Sequence, residues 1–302
     1  MKVSVIIPNY NYSRFVCEAV DSALAQTYQD KEVIVIDDGS TDNSIELLAK
    51  YGNTIRLIEQ PNAGVCAARN NGVAVSSGEL VAFLDADDVW MPTKLEKQVE
   101  QFKKDPAIVL SHVGVLDIDA DGNILAAHTD GMSGKVCTDM LLFERPVILG
   151  ACSGAMWPKT VFESVGGFDS RLSTAADWDL CFRTARQGKV AFVPETLFKY
   201  RLHGTNMHGN IDVMEHDMLL CYQKAFETAP DLDGIKDRAY GALYRVLAGS
   251  YFQAGQYGGF LLNAAKSIWR RPASLKYFLE FPLRKMRREN DGSPPYEGGV
   301  RL

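Results

Sequence analysis

The apolar run Leu80–Leu84 is followed directly by the acidic segment Asp85-Ala86-Asp87-Asp88. Five consecutive apolar residues are typical of a buried strand. A lone Asp-x-Asp more often belongs to a solvated turn, but a second apolar run, Val33–Ile36, also ends in acids, at Asp37-Asp38. Ligands of open α/β sheets bind beyond the carboxyl ends of the strands. Two such ends that carry carboxylates therefore predict one shared site.

Strands and helices alternate through the first hundred or so residues. This alternation predicts an α/β fold with a mostly parallel central sheet, right-handed crossovers and helices on both faces. The side chains of Ser40, Thr41 and Asp42 are expected to cap the second helix. The predicted strands are Val3–Ile7, Glu32–Ile36, Ile55–Ile58 and Leu80–Leu84, and the predicted helices are Phe15–Ala25, Asn43–Tyr51, Val65–Val75 and Lys94–Lys103.

The remainder of the chain is less regular at first and then helical. Periodicity alone does not resolve the β-rich, loop-rich stretch up to about residue 205. Apolar spacing then predicts helices at Val213–Glu227, Ile235–Ala254, Phe260–Ile268 and Ser274–Arg288. We therefore expect an α/β domain over residues 1–210, a helical C-terminal region over 211–288 and a flexible tail over 289–302.

Composition excludes several classes of protein. The net charge of −6 does not favour nucleic-acid binding. The six cysteines are scattered without a C-x-x-C pair, which argues against a zinc site or a disulfide scaffold and favours a reducing compartment. The sequence enters a strand at once, leaving no room for a signal peptide, and no apolar run approaches the roughly 20 residues that span a bilayer. The expected location is the cytoplasm.

The turn after the first strand carries neither a G-x-G-x-x-G motif nor a P-loop. Any phosphates bound at this sheet must then be neutralised without a glycine cradle. A divalent cation held by Asp85 and Asp87 would serve, because Mg²⁺ and Mn²⁺ prefer oxygen ligands. Nucleotide sugars are ligands of this kind.

An ordered set of motifs across residues 2–205 resembles family 2 glycosyltransferases of the GT-A fold, a Rossmann-like fold that would carry the helical region as a C-terminal appendage. These motifs are Val3-Ser-Val-Ile-Ile-Pro-x-Tyr-Asn11, Val35-Ile-Asp37-Asp38-Gly-Ser-Thr-Asp42, Asn62-x-Gly64-x-x-x-Ala68-Arg69-Asn70-x-Gly72, Phe83-Leu84-Asp85-Ala86-Asp87-Asp88, Gly166-Gly167-Phe168-Asp169, Asp177-Trp178-Asp179-Leu180-x-x-Arg183 and Tyr200-Arg201-x-His203.

The resemblance implies a nucleotide-binding set of five residues. In it, Asp38 would hydrogen-bond the nucleobase in a pocket lined by Pro8 and Tyr10. Arg69 would face the nucleotide, and Asp85 would lie near the ribose and the metal. Uridine is the base that the resemblance favours, while thymidine and guanosine nucleotides remain alternatives.

The resemblance also implies the metal ligands and the catalytic base. Asp87 would coordinate Mn²⁺ or Mg²⁺ directly, and His203 would contact the metal or the diphosphate. Asp177 would deprotonate the acceptor hydroxyl, although Thr174 and Asp177 also fit the spacing of a helix capping box. Family members commonly carry Glu before this Asp, whereas this chain has Ala176, a departure that bears on acceptor choice.

One base on the acceptor side implies a single in-line displacement with inversion at the anomeric carbon. The implied enzyme is a metal-dependent glycosyltransferase that uses a nucleoside-diphosphate sugar. Its expected acceptor is a glycan or a lipid-linked saccharide in cell-surface polysaccharide synthesis. The alternatives are a sugar-phosphate nucleotidyltransferase, which would need a glycine-rich basic loop after the first strand, and a non-catalytic nucleotide-sugar-binding protein.

The segment 266–288 carries eight basic residues against the single acid Glu280, interleaved with large apolar side chains. This composition predicts peripheral contact with a membrane on its cytoplasmic face. The alternative is an amphipathic helix that packs on the protein and leaves a solvated basic rim.

Overall fold

The computed structural model describes residues 1–204 and 210–280. The predicted tail at 289–302, and residues 281–288 of the last predicted helix, lie outside the described residues. Within these ranges, residues 1–136 and 147–204 form one compact unit, and residues 137–146 and 210–280 form a second. The expected domain boundary near residue 210 stays a proposal.

The first unit opens with the predicted alternation of strands and helices. All seven residues of β1 and all four of β4 are buried, as expected for strands covered on both faces. The elements are β1 (Val3–Asn9), α1 (Val16–Leu24), β2 (Lys31–Asp37), α2 (Ser44–Ala49), β3 (Arg56–Glu59), α3 (Val65–Val75), β4 (Leu80–Phe83), β5 (Val89–Trp90) and α4 (Lys94–Lys104).

The second half of this unit completes a mixed sheet. In the described residues the sheet has nine strands in the order β3-β2-β1-β4-β8-β6-β9-β5, with β7 paired to β6. Strands β3, β2, β1 and β4 are mutually parallel, as are β6 and β9, whereas β8 joins β4 and β6 antiparallel. The added elements are β6 (Ile108–Ile118), β7 (Ile124–His128), α5 (Cys137–Leu142, in the second unit), β8 (Met156–Pro158), α6 (Lys159–Ser164), α7 (Ala176–Ala185) and β9 (Lys189–Arg201).

Close packing of α3 on β1 brings one helix to the carboxyl edge of the sheet. Gly72 faces Ile6, and a Cβ atom at Gly72 would lie 2.4 Å from Ile6 Cγ2. Only a residue without a side chain permits this approach. The approach fixes where Arg69, one turn earlier on α3, meets the strand ends.

The capping expectation for α2 is confirmed for Asp42. Its Oδ1 accepts from the backbone N–H of Ser44 at 3.0 Å and so satisfies a free amide at the start of the helix. The N-cap position itself falls on Asn43, which makes no side-chain cap bond.

The second unit is helical. It contains α8 (Ile211–Thr228), α9 (Lys236–Gln253), α10 (Tyr257–Arg270) and α11 (Ser274–Leu279) together with α5. The hydroxyl of Tyr222 on α8 donates to the carbonyl of Leu141 on α5 at 2.7 Å, which ties the 137–146 segment to these helices. Across residues 1–204 and 210–280, no helix combines the length and apolarity that crossing a bilayer requires.

A buried histidine, His112 on β6, makes the first unit sensitive to acid. Its Nδ1 accepts from the backbone N–H of Leu149 at 3.2 Å, so Nε2 carries the proton and donates to the carbonyl of Met132 at 2.9 Å. Burial lowers the pKa of His112 from 6.5 to about 4. Protonation would replace the Nδ1 acceptor with a buried charge that faces an N–H donor.

We expect His112 to weaken the fold as the pH falls. Between pH 6.5 and pH 4, His112 is protonated in the unfolded chain but not in the folded protein. The free energy of unfolding therefore falls by about 3 kcal/mol as the pH drops through this window. Denaturant unfolding at pH 7 and pH 4 should show a smaller loss in His112→Gln than in the wild type. The exposed-histidine control His216→Gln should retain the wild-type loss, and equal losses in all three proteins would contradict this assignment.

Candidate active site

The carboxyl ends of three neighbouring parallel strands bring the candidate residues to one edge of the sheet. Asn9 at the end of β1 pairs with Asp37 at the end of β2. Phe83 of β4 pairs with Ile6 of β1, so the acidic segment after β4 emerges at the same edge. The sequence-based expectation that the strand ends meet is confirmed by this register.

Asp37 organises the backbone of the site. Its Oδ2 accepts from Asn9 Nδ2 at 2.7 Å, and its Oδ1 accepts from the backbone N–H of Ser40 at 2.8 Å. The same Asn9 amide donates to Ser40 Oγ at 3.1 Å. A fully buried carboxylate held in this way fixes the loop after β2 rather than facing a ligand.

Asp38, the predicted base-binding acid, is also buried and already engaged. Its Oδ1 accepts from Gln60 Nε2 at 2.7 Å and from the Ala63 N–H at 2.9 Å, and its Oδ2 accepts from the Gly64 N–H at 2.8 Å. A carboxylate offers about four acceptor positions, so one remains for an N–H of a nucleobase. Contact between Asp38 and a base stays a prediction.

The two other predicted base-pocket residues differ in exposure. Pro8 lies inside β1, where it pairs with Ile36 and is buried. Tyr10 follows the strand, and its side chain is 46% exposed. An exposed aromatic ring at the strand ends is available to stack on a planar ligand, whereas Pro8 can only shape the floor of such a pocket.

Arg69 and Asp85 form the tightest ion pair of the edge. Arg69 Nη2 lies 2.6 Å from Asp85 Oδ1, and the guanidinium stacks on the Phe168 ring with its carbon 5.1 Å from the centroid. Burial opposes the charge on Arg69, but Asp85 and, more weakly, Asp177 keep its pKa above the ordinary value. None of the described residues accepts a hydrogen bond from the buried Nε–H of Arg69, so one donor remains for a ligand.

The Phe168 ring on which Arg69 stacks is itself held in place. Asn70 Nδ2 donates to the Phe168 carbonyl at 2.9 Å, and Asn70 Oδ1 accepts from the Phe168 N–H at 3.0 Å. Arg183 on α7 donates to the Gly167 carbonyl at 2.8 Å and pairs with Asp179. The motifs Gly166–Asp169 and Asp177–Arg183 thus fix the ring on which Arg69 rests.

The two predicted metal ligands lie in direct contact. His203 Nε2 is 2.9 Å from Asp87 Oδ2, and both side chains are nearly buried. Burial and the neighbouring Asp85 raise the pKa of Asp87, while the bond and charge of His203 act in the opposite direction. The imidazole stacks on Phe15 at 5.3 Å, which orients it toward the carboxylate.

These residues fit a divalent cation by donor type, since they offer carboxylate oxygens and an imidazole nitrogen. Among the described residues, no group of three or more His, Cys, Asp or Glu side chains is arranged to hold a metal. Asp85, the other predicted contact, is turned toward Arg69. A cation at Asp87 would therefore draw further oxygen ligands from a bound diphosphate, as is usual for Mg²⁺.

Asp88 is buried, not a solvated turn acid. Its Oδ1 accepts from the Arg201 N–H at 3.1 Å. Burial and the charges of Asp87 and Asp85 raise its pKa well above the ordinary value. Arg201 in turn donates from Nε to the Asp87 carbonyl at 2.8 Å and from Nη2 to Glu18 at 2.6 Å, so it holds the whole acidic turn.

Asp177, the predicted catalytic base, is half-buried in the first turn of α7. The helix places Ala175, not Thr174, at its N-cap position, one residue later than the capping-box spacing assumes, and the capping-box alternative stays a prediction. Asp177 Oδ1 accepts from the Trp178 N–H at 2.8 Å. Burial raises the pKa of the Cys152 thiol. Arg69 lowers this pKa, whereas Asp85 and Asp177 raise it, so both acids lie close enough to Cys152 to act on it electrostatically.

Sequence reasoning missed the residues that support this site. No role was predicted for Arg201, although it lies in the motif Tyr200-Arg201-x-His203. An arginine at the end of a long strand, near an acidic turn in the fold, indicates an ion pair or hydrogen bonds to that turn. Ser153 accepts from the Asp85 N–H at 3.1 Å, and no motif pointed to it. Tyr12 lies near the acidic turn, where burial and the three carboxylates raise its pKa.

A protein-family model matches the first part of the chain. The family model described as "Glycosyl transferase family 2" matches residues 4–158, a range that contains β1 to β8 and the acidic turn.

Two of the three curated relatives described here are named glycosyltransferases, and the third is a polysaccharide synthase. An uncharacterized glycosyltransferase of Nostoc sp. is 39% identical over 216 residues, which cover 69% of this chain and 67% of the relative. An uncharacterized glycosyltransferase of Rickettsia prowazekii is 35% identical over 67% of this chain and 64% of its own length. Chondroitin synthase of Pasteurella multocida is 30% identical over 68% of this chain but only 21% of the synthase. The chain thus spans about two thirds or less of these relatives.

Solved structures share the fold at low identity. Residues 1–349 of S. aureus TarS in complex with UDP-GlcNAc match with a TM-score of 0.61 and 15% identity, over 90% of this chain and 92% of that one. The mannosyltransferase PcManGT from Pyrobaculum calidifontis, in complex with GDP-Man and Mn²⁺, matches with a TM-score of 0.61 and 19% identity, over 93% and 80%. The predicted GT-A fold is confirmed by this likeness.

The network around Arg201 yields a stability prediction. Arg201→Lys keeps the charge but loses the planar fork that reaches both Asp87 and Glu18, and we expect it to cost about 2 kcal/mol. Arg14→Lys is a matched control: Arg14 also stacks on Phe15, at 4.9 Å, but its side chain is 65% exposed and pairs with exposed Asp121. That change should cost less than about 0.5 kcal/mol in denaturant unfolding. Equal losses would mean that Arg201 does not hold the turn.

Proposed function

The chain belongs to glycosyl transferase family 2, and on this premise we propose that it transfers a sugar from a UDP-linked donor to a hydroxyl group. The proposed acceptor is a glycan or a lipid-linked saccharide in cell-surface polysaccharide synthesis. The reaction is a single displacement with inversion at the anomeric carbon.

One observation carries this proposal: Arg69, Asp85, Asp87 and His203 meet at the carboxyl edge of the sheet, in one ion pair and one contact between a carboxylate and an imidazole. A nucleoside diphosphate is anionic, so it needs cationic partners as well as the carboxylates that hold a metal. Arg69, with one buried donor from which none of the described residues accepts, supplies a fixed positive charge. His203 supplies a group that is either a donor or a metal ligand.

The proposed cofactor is Mn²⁺ or Mg²⁺, held by Asp87 and His203. A divalent cation bound there supplies positive charge to the diphosphate as it departs. Binding would replace the present contact between Asp87 and His203. Asp85 keeps Arg69 charged and oriented toward the same ligand.

Asp177 is the proposed catalytic base. A sugar hydroxyl is a weak nucleophile and needs a base within about 3 Å or through one water. Asp177 is partly exposed to solvent and acts electrostatically on Arg69, the residue that we propose faces the donor. Its carboxylate would take the hydroxyl proton as the new glycosidic bond forms on the face opposite the leaving group.

The choice of donor and acceptor draws on the relatives. Residues 1–349 of S. aureus TarS form complexes with UDP and with UDP-GlcNAc, which supports uridine as the base contacted by Asp38, Pro8 and Tyr10. GDP-Man in the mannosyltransferase complex makes guanosine the alternative to test. Chondroitin synthase and hyaluronan synthase of Pasteurella multocida support a polysaccharide product.

The proposed location is the cytoplasm, with peripheral contact to the cytoplasmic face of a membrane. No disulfide joins any of the six cysteines, all of which lie in the described ranges, and this fits a reducing compartment. The segment 266–288 was predicted to make the membrane contact, and its last eight residues lie outside the described ranges.

Asp177→Asn tests the catalytic base. We expect transfer from the preferred nucleotide sugar to fall by about 10²–10⁴-fold, because the amide cannot accept the proton. Stabilisation of the protein by UDP with Mn²⁺ in a thermal-shift assay should stay at the wild-type level. Asp30→Asn, just before β2 and therefore at the opposite edge of the sheet, is the control and should keep full activity. Full transfer by Asp177→Asn would refute this role.

Asp87→Ala tests the cation site without relying on activity. In the wild type, Mn²⁺ should increase the thermal stabilisation produced by UDP, since a ligand that binds only the folded state raises its stability. In Asp87→Ala this increase should disappear, while Asp30→Asn should keep it. A cation effect of wild-type size in Asp87→Ala would exclude Asp87 as a ligand.

A further inference from the structure

Helix α10 of the second unit has its large apolar side chains on the outside. Leu261, Leu262 and Trp269 are 65%, 57% and 76% exposed. The inward face consists of small or polar residues, since Asn263, Ala264 and Ser267 are buried. A helix that packs on a soluble core shows the opposite arrangement.

Tight packing against α9 fixes this orientation. Ser267 Oγ donates to the Gly241 carbonyl at 2.7 Å, and a Cβ atom at Gly241 would lie 2.6 Å from the Cβ of Arg271. A Cβ atom at Gly259 would lie 2.4 Å from the ring of Tyr251. The helices approach too closely at these points for α10 to turn its leucines inward, so the exposure of the apolar face is built into the packing.

The exposed face continues along the chain into α11. We define the outward face as the six large apolar side chains that are exposed on these two helices, out of ten exposed in residues 1–204 and 210–280. Concentration of exposed apolar residues in one short segment marks an interaction surface. The outward face comprises Tyr257, Leu261, Leu262, Trp269, Leu275 and Leu279.

Some basic residues of this region form ion pairs within the second unit, and others are exposed. Three of the basic residues are paired with acids of the second unit: Lys266 with Glu215 at 3.6 Å, Arg270 with Asp237 at 2.7 Å and Arg271 with Glu144 at 3.4 Å. These ion pairs leave α10 itself mainly apolar in character.

Positive charge appears beside the outward face and immediately after it in the sequence. Lys276 on α11 is 83% exposed, and its Glu280 partner is 3.9 Å away, too exposed and distant to neutralise it. The next residues carry Arg284, Lys285, Arg287 and Arg288 without an acid before Glu289.

We propose that the outward face of α10 and α11 docks into the interfacial layer of an anionic phospholipid bilayer. Leucines would enter the acyl boundary, and Trp269 and Tyr257 would lie at headgroup level, where these rings are favoured. Lys276, together with the basic residues that follow it in the sequence, matches anionic headgroups in charge. A second copy of this chain offers a poorer match, because it would place like charges beside one another. This inference rests on the proposed function and deepens its membrane contact, because it extends that contact from the basic segment 266–288 to the apolar face of α10, which begins at Tyr257.

Vesicle co-sedimentation with the full chain tests the inference. We expect wild-type protein to bind phosphatidylcholine vesicles that contain about 30 mol % phosphatidylglycerol, with weaker binding at high salt. The triple variant Leu261→Gln, Leu262→Gln, Trp269→Gln should bind at least about tenfold more weakly, since most of the apolar contact is lost. The matched control is Ile124→Gln with Leu125→Gln, an exposed apolar pair in the first unit, and it should bind like the wild type.

Three outcomes would overturn the proposal. These are no wild-type binding to anionic vesicles, equal binding by the triple variant, and a solution dimer that the triple substitution dissociates, which would assign the face to a second copy. UDP with Mn²⁺ should stabilise wild type and triple variant equally without vesicles. If wild-type protein binds anionic vesicles but is not stabilised by UDP with Mn²⁺, the proposed function is refuted and this inference stands. If it is stabilised by UDP with Mn²⁺ but does not bind vesicles, this inference is refuted and the proposed function stands.

Discussion

Repulsion among Asp85, Asp87 and Asp88 is the constraint on which the rest of this site depends. Three carboxylates at one strand end destabilise one another unless each has its own partner. Asp85 has Arg69, Asp87 has His203, and Asp88 accepts from the backbone N–H of Arg201. Each partner is fixed in turn by an aromatic ring, Phe168 for Arg69 and Phe15 for His203 and Arg201. The acidic turn is therefore rigid before any ligand arrives, as electrostatic catalysis requires.

This arrangement separates structural from chemical roles among similar-looking acids. Asp37 holds the backbone loop after β2, and Asp179 pairs with Arg183. Asp87 and Asp177 are the acids that we propose contact the cation and the acceptor. Family 2 membership accounts for the transfer chemistry, while the outward face of the second unit suggests how such an enzyme could be held near a lipid-linked acceptor. The two features rest on different residues and different physical forces.

The sequence predicted the fold where the signals are local. Apolar runs ending in acids located β2 and β4, and apolar spacing gave α3 its bounds of Val65–Val75. The three-residue strand β8 was beyond reach, because periodicity has no meaning over Met156–Pro158 and its pairing with β4 is long-range. The motifs named Asp87 and His203, which the structure brings into contact, but burial of Asp88 depends on Arg201, 113 positions away. The inverted face of α10 depends on the glycines of α9 and α10, which hydrophobic spacing does not reveal.

The central claim is that this acidic turn holds a divalent cation against a nucleoside diphosphate. The most direct measurement is a crystal of the wild-type protein grown with UDP and Mn²⁺, with the manganese located by its anomalous scattering. The account predicts one strong peak within coordination distance of an Asp87 oxygen and the diphosphate, with Arg69 facing the nucleotide. A peak elsewhere, or a bound nucleotide with Asp87 still paired to His203 and no manganese beside it, would contradict it.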